Sequence, residues 1–232
     1  MTQLSYPGKE LELFRAARHW KAYWSSVVRP WIQGDVLEVG AGLGTNTALM
    51  MNARVTSWTC LEPDDALAQQ LQTLKGLPIE PRVIAGTITA IPAEPTFDAI
   101  VYIDVVEHIE DDALELTQAA SRLREKGHIV VLSPAHQWLF SPFDHSIGHY
   151  RRYDKSSLAV VGPASCQRVQ LFYLDSIGLL ASFANKMFLR KSMPTPADIA
   201  VWDNYMVPAS RALDSVLGHT LGKTIVGVWQ KV

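Results

Sequence analysis

The sequence predicts an α/β protein with a mainly parallel sheet, and three features of its pattern point there. Short apolar runs of strand length alternate with stretches of helical periodicity. Two of those runs, 97–103 and 128–132, are nearly continuous in apolar residues, as a strand covered on both faces requires. A turn with three glycines joins the first run to the helix after it.

Taken in order, residues 9–28 read as a helix, with Leu13, Phe14, Ala17, Trp20, Tyr23, Trp24 and Val27 at mixed spacings of three and four. Arg29-Pro30 ends it, because the residue before proline avoids the helical region. Strands are expected over 36–39, 55–61, 81–85, 97–103 and 128–132. Between them, helices are expected over 47–51, 64–74 (closed by Gly76) and 111–124 (ending near Gly127). That rhythm makes βαβ units with right-handed crossovers. The pattern then breaks. Residues 133–155, rich in Pro, His, Arg and aromatics, read as a long loop; 166–172 reads as a strand; 176–217 reads as two helices split by Pro194-Thr195-Pro196; and 224–229 is a final strand. The first helix and the two late insertions are expected to cover the carboxyl ends of the strands, where ligands bind in open α/β sheets.

Composition narrows the function. The 232 residues are 48% hydrophobic and 19% charged, which fits a globular chain able to bury a sizeable core. The net charge of −2, with basic residues only in short clusters, disfavours a nucleic-acid partner. Cys60 and Cys166 form no C-x-x-C pair and read as buried thiols of a reducing, cytoplasmic compartment. The segment MTQLSYPGKELELF has no apolar core of a secretory signal, and no run approaches the ~18 apolar residues of a membrane span.

The glycine turn is Val36-Leu37-Glu38-Val39-Gly40-Ala41-Gly42-Leu43-Gly44-Thr45-Asn46. Dinucleotide enzymes favour G-x-G-x-x-G, which sets a helix N-terminus against a pyrophosphate. Here the spacing is G-x-G-x-G, and Glu38 precedes it. A carboxylate there would repel a pyrophosphate and suits a ligand carrying an ammonium and a sulfonium. Leu61-Glu62-Pro63-Asp64 closes the second strand, about 20 residues further on, where a carboxylate can accept both ribose hydroxyls of a nucleoside. The plainer reading of such an acid is a helix N-terminal charge favoured by the dipole.

Jointly these residues resemble the class I S-adenosylmethionine-dependent methyltransferases. The likeness is carried by VLEVGAGLG at 36–44, LEP at 61–63 and FDAIVYIDVVEHIEDD at 97–112, and covers roughly 35–135. HWKAYW, RPWIQGDVLEVGAG and SPFDHSIGHYRRYDKSSL also resemble a bacterial subgroup of type 11/12-like enzymes with small-molecule acceptors. The resemblance implies a Rossmann-like seven-stranded sheet with an antiparallel last strand. It implies one methyltransferase domain over 1–232: a cap helix in 1–34, a cofactor-binding core in 35–135, and substrate-side insertions and final strands in 136–232. It implies S-adenosylmethionine as cofactor and S-adenosylhomocysteine as product. Glu38, Gly40, Ala41, Gly42, Gly44 and Asn46 would surround the methionine part, and Glu62 with Pro63 the ribose. The family often carries an acid after the third strand for the adenine amino group. Here Ala85-Gly86-Thr87-Ile88 stands in that place, so Thr87 or backbone groups near Ile88 must substitute.

Methyl transfer from a sulfonium mainly asks the protein for positioning and exclusion of water, so no catalytic triad is required. Asp104 and Val105 follow the fourth strand, beside the expected methyl group; as a plain structural residue Asp104 would be an N-cap. His108 is a candidate base or a residue that shapes the pocket. Residues 143–153 gather Asp144, His145, His149, Arg151, Arg152 and Tyr153. They offer His145 and His149 as acid–base groups, and Asp144, Arg151, Arg152 and Tyr153 as acceptor contacts, with a guanidinium suited to an anionic acceptor. Alternatively they form a lid loop whose polar groups satisfy one another. No metal is expected, since His136, Asp144, His145 and His149 match no compact ligand motif. Tyr23 is either packing or a cofactor contact. The apolar stretch 174–189, followed by Arg190-Lys191, reads as a lid, with peripheral membrane contact as the other reading. The expectation is a small-molecule methyltransferase acting on O, N or C, as a monomer or homodimer. The rivals are a non-catalytic cofactor-binding partner subunit and a macromolecule-modifying enzyme, the latter without an N-P-P-Y-like motif to receive a flipped base.

Overall fold

A computed structural model describes residues 14–189 and 193–232. The beginning of the expected first helix (9–13) and the Arg190-Lys191 pair lie outside the described residues.

Seven strands form one sheet: β1 (Gly34–Val39), β2 (Val55–Glu62), β3 (Arg82–Ala85), β4 (Phe97–Ile103), β5 (Leu123–Pro134), β6 (Cys166–Leu174) and β7 (Thr224–Lys231). Their order is β3-β2-β1-β4-β5-β7-β6. The strands β1 to β5 pair in parallel, and β7 runs antiparallel to both β5 and β6. This is the seven-stranded arrangement with an antiparallel last strand. The order reverses between β1 and β4, so the chain leaves those two strands in opposite directions and opens a crevice at their carboxyl ends.

Strand residues alternate between two cores, as the pleat demands. Val36, Trp58, Cys60, Val101, Val130 and Val228 face one layer with Trp20, Trp24 and Val28 of helix Arg18–Val28 and with Trp202 and Val207 from the late helices. Leu37, Leu61, Ile100, Tyr102, Ile129 and Trp229 face the other, packed on Leu116 and Ala120 of helix Asp112–Ser121 and Leu158 of helix Lys155–Val161. The first helix is thus a layer of the core as much as a cap.

Several expected boundaries move, and the helix ending at Val28 begins only at Arg18. The helix expected to run to 124 ends at Ser121, and Leu123 already pairs with Phe97, so β5 takes the next residues and turns the left-handed Lys126 into a bend (φ 64°). The long loop 133–155 contains the end of β5, a short turn at Gln137–Leu139 and helix Pro142–Ser146, whose Ser141 and Asp144 form a reciprocal cap.

The late helices, Ser176–Ala184 and Pro196–Val201 continuing through Trp202–Met206 to Val207–Val216, divide at the expected Pro194-Thr195-Pro196. Three buried aspartates tie them down. Asp214 accepts from the Tyr23 hydroxyl (2.8 Å) and from the N–H groups of Asp175 (2.7 Å) and Ser176 (3.0 Å). Asp175 accepts from Ser210, Trp202 and Gly178. Asp203 caps the first helix through the N–H groups of His19 and Trp20. Tyr23, offered as a cofactor contact, is 3% exposed with its hydroxyl given to Asp214, so it serves this clamp. Leu180, Phe183 and Met187 remain exposed, so the first late helix does not bury its whole apolar face. No described helix is long and apolar enough to cross a membrane.

Removing the Asp214 carboxylate strands three buried donors at once. Asp214→Ala is expected to lower unfolding free energy by about 3 kcal/mol. Asp111→Ala, which removes one exposed helix cap, is expected to cost about 1 kcal/mol. Urea titrations that rank the two equally would contradict the clamp.

Candidate functional site

The crevice is built first by the glycine turn. Gly40, Gly42 and Gly44 all have left-handed φ angles, of 67°, 55° and 70°. A Cβ on Gly40 would stand 2.6 Å from a methyl of Val105, so the turn after β1 and the turn after β4 touch, and only glycine fits between them. The N–H groups of Gly40 and Ala41 are bound by the Leu61 carbonyl, at 2.8 and 3.3 Å. The Asn46 Oδ1 is buried with no hydrogen-bond partner, an acceptor in this loop left for something else.

Two carboxylates frame the turn. Glu62 accepts from the N–H of Gly42 (2.8 Å) and from that of Asp64 (3.0 Å), one bond on each oxygen, which leaves acceptor capacity on both. Burial pushes its carboxyl above the usual range, and those two N–H groups hold it back. Pro63 carries the chain on to Asp64, which caps helix Asp65–Gln72 through two N–H groups; the dipole reading thus belongs to Asp64 while Glu62 reaches the glycine turn. Glu38 is more enclosed. Its Oε2 accepts from Thr47 (2.7 Å), Trp58 Nε1 (2.9 Å) and Cys60 (3.8 Å). Burial raises its carboxyl to about 7 against those bonds. Further along, the Thr87 hydroxyl is exposed and meets that of Thr89 at 2.9 Å, while the Ile88 side chain is buried in the core.

Beside the crevice, at the ends of β4 and β5, lies a polar cluster. Asp104 has a left-handed φ of 55°, a strained setting for a residue with a Cβ, and its N–H is held by the Leu132 carbonyl (2.8 Å). It is open to solvent on one side yet hemmed in elsewhere. That desolvation pushes its carboxyl up, opposed by His149 and Lys223. Glu107 is fully buried. Its Oε2 accepts from Ser133 (2.8 Å), and its Oε1 has no hydrogen-bond partner and lies 3.9 Å from His149 Nε2. Burial, then the Asp104 charge, raises its carboxyl well above the usual range. The His108 and His149 rings meet edge to face at 4.5 Å. Burial first, then His149, lowers His108 to about 4, against a hydrogen bond with the Gly148 backbone.

The loop 143–153 supports this cluster from behind. His149 Nδ1 is 3.0 Å from Asp144 Oδ1, and Arg152 grips both oxygens of Asp144, at 2.8 and 3.0 Å. Burial would raise Asp144, but the bonds from His149 and Arg152 and the Arg152 charge hold it well below the usual range. Arg152 is therefore a partner of Asp144 within the chain. Arg151 pairs with Asp112 and donates to the Glu110 carbonyl (2.8 Å), so its charge is also compensated within the chain. Tyr153 is 1% exposed and donates to Asp112 (2.6 Å), a core role in place of an acceptor contact. His145 is exposed on its helix and stands outside the cluster. His136 is stacked on Tyr173 and bonded to the Gly222 carbonyl. Two surface grooves of about 430 Å³ each, one along Lys155, Arg168 and Gln170 and one along Asp112, Arg151 and Val160, include no residue of the glycine turn or Glu62.

Reading motifs alone missed Glu107, Ser133 and Lys223. Glu107 was hidden inside the same apolar motif as His108. Lys223, which neighbours Asp175 at 3.5 Å and lies over the Trp202 ring, is brought in from 115 residues beyond His108 by β7, and no local pattern marks it.

The sheet order, the glycine turn and the acid closing β2 define an open α/β fold in which that turn and a carboxylate meet at the strand-order reversal. A family model described as a methyltransferase domain matches residues 11–185, more than half of the chain. The chain belongs to that methyltransferase-domain family. Among solved structures it is similar to an S-adenosylmethionine-dependent methyltransferase from Archaeoglobus fulgidus (13% identity, 97% of this chain and 100% of that one, TM-score 0.59). It is similar to the N-methyltransferase NodS from Bradyrhizobium japonicum in complex with S-adenosylhomocysteine (13%, 92% and 85%, TM-score 0.56). It is also similar to a methyltransferase complexed with the Trm112 activator of Haloferax volcanii (15%, 96% and 94%, TM-score 0.62). At these identities the likeness shows the fold. No curated protein matches the sequence.

Glu38 gives a pH signature. It titrates near 7 in the fold against an ordinary value of 4.5, so the folded chain holds its proton more tightly than the unfolded one. Stability from this group is present below the ordinary value and is lost as pH rises through about 7, on the order of 3 kcal/mol in all. The urea midpoint of the ligand-free protein is expected to fall from pH 5 to pH 8, and to fall less in Glu38→Gln. Parallel pH profiles for the two would contradict this.

Proposed function

We propose that this protein moves the methyl group of S-adenosylmethionine to a small acceptor that enters over the carboxyl ends of β4 and β5. The observation that carries the reading is the meeting of the glycine turn, Glu62 and the Asp104–Val105 turn at the point where the strand order reverses. The residues suit that cofactor. Glu62 keeps acceptor capacity for two ribose hydroxyls, and the unpartnered Asn46 Oδ1 and the Glu38 carboxyl suit an ammonium. Glu38 before the turn disfavours a pyrophosphate, which sets a nicotinamide dinucleotide aside. Thr87 and the backbone beside Ile88 flank the adenine side in place of an acid.

When bound, the cofactor supplies an activated methyl on a sulfonium, and S-adenosylhomocysteine is the product. The chain's own task is then alignment and water exclusion. Asp104, His108 and His149 stand where the acceptor must approach. With both guanidiniums of 151–152 engaged by carboxylates, the acceptor is one recognised through a nucleophilic hydroxyl or amine, in place of an anion held by arginine.

Calorimetric titration checks the reading. S-Adenosylhomocysteine is expected to bind with micromolar affinity, NADH is expected not to bind, and Glu62→Ala is expected to weaken the adenosyl ligand by roughly 10- to 100-fold through loss of charge-assisted hydrogen bonds. A well-folded sample that binds neither adenosyl compound would overturn the proposal.

A further inference from the structure

The polar cluster beside the crevice has a feature that acid–base chemistry leaves unexplained. Three ligand-capable atoms, one each from Glu107, His108 and His149, all lie within 4.8 Å of one another. Glu107 Oε1 is fully buried with no hydrogen-bond partner. A buried acceptor without a donor costs about 1–3 kcal/mol, so the fold keeps it at an expense.

The histidines are prepared as well. His149 meets Asp144 through Nδ1 at 3.0 Å, which turns Nε2 toward Glu107 Oε1 at 3.9 Å. His108 has one ring nitrogen engaged by the Gly148 backbone. Metal-ligating histidines characteristically spend their second nitrogen on a carboxylate or a carbonyl, fixing the tautomer and turning a lone pair to the ion. His149 shows that arrangement through Asp144, and His108 bonds the Gly148 backbone. Asp144 is in turn fixed by Arg152 and by the Ser141 N–H and hydroxyl. The separation of Nε2 and Oε1 is longer than a hydrogen bond and suits two atoms that share a central ion rather than each other.

We propose that Glu107, His108 and His149 form a binding site for a first-row divalent cation such as Zn²⁺, Mn²⁺ or Co²⁺. Two imidazoles with one carboxylate favour such an ion over Ca²⁺ or Mg²⁺, which take oxygen-rich sets. Three protein ligands leave positions open for water or an acceptor oxygen. The site adjoins the proposed acceptor entrance, so it deepens the functional reading by pointing to an acceptor that offers a hydroxyl or another oxygen donor. This pointer rests on the reading above; the ion site itself stands on the cluster alone. Arg152 and Asp144 act as positioning residues.

The test uses the full chain, stripped of metal by a chelator and titrated with Co²⁺, followed by the d–d absorption of the bound ion and by calorimetry. One equivalent is expected to bind at micromolar or tighter affinity. Glu107→Gln and His149→Ala are each expected to weaken binding at least 10-fold, and Asp144→Asn several-fold by releasing His149. Glu62→Ala is expected to leave Co²⁺ binding unchanged. S-Adenosylhomocysteine titration of each variant reports whether the fold and the cofactor crevice survive. No stoichiometric Co²⁺ binding by the wild-type chain, or binding that persists unchanged in Glu107→Gln and His149→Ala, would overturn the site. Absence of adenosyl binding by the wild-type chain, with its Co²⁺ binding intact, would instead overturn the cofactor reading.

Discussion

Two turns touch at Gly40 and Val105, and the functional face depends on that contact. A side chain on Gly40 would be driven into the Val105 methyls, so the turn leaving β1 and the turn leaving β4 are held at the closest approach a backbone allows. The strand order reverses there, and Glu62 binds the same glycine turn through the Gly42 N–H. The left-handed Asp104 belongs to this geometry: the chain must bend sharply as it leaves β4, and strain of that kind persists only where neighbours enforce it, here the Leu132 carbonyl.

Buried carboxylates then divide into two kinds. Asp175, Asp203 and Asp214 are saturated with donors and serve as fasteners between the first helix, the late helices and the end of β6. Glu38, Glu62 and Glu107 are pushed up by burial, and Glu107 keeps one oxygen without a hydrogen-bond partner; all three lie at the carboxyl ends of strands or just beyond. The arginines of the loop 143–153 are each paired with an aspartate, and Arg152 in particular holds Asp144, which in turn meets His149.

Much of this was legible in the chain. The short and near-continuous apolar runs placed the strands, and the glycine spacing marked the turn after β1, because those signals are local and follow from backbone sterics. The helix end at Ser121 was misplaced because Arg124 and Glu125 look helical, while the pairing of Leu123 with Phe97 is a tertiary fact. Helix Lys155–Val161 went unseen because its cap, Asp154 with Ser157, sits at the end of a stretch dominated by loop-forming residues. The roles of Arg151, Arg152, Tyr153 and Tyr23 depended on partners far off in sequence, such as Asp214, which lies 191 positions from Tyr23. Composition could show that charges were present in the loop, though not that they were already spent on each other.

The central claim is that the cofactor lies in the crevice floored by the Gly40–Val105 contact. Amide hydrogen exchange with and without S-adenosylhomocysteine tests it most directly. The account predicts added protection concentrated in 38–46, 62–64, 87–88 and 104–108. Binding that leaves those segments unchanged and protects the grooves along Lys155 and Arg168 or Arg151 and Val160 instead would contradict it.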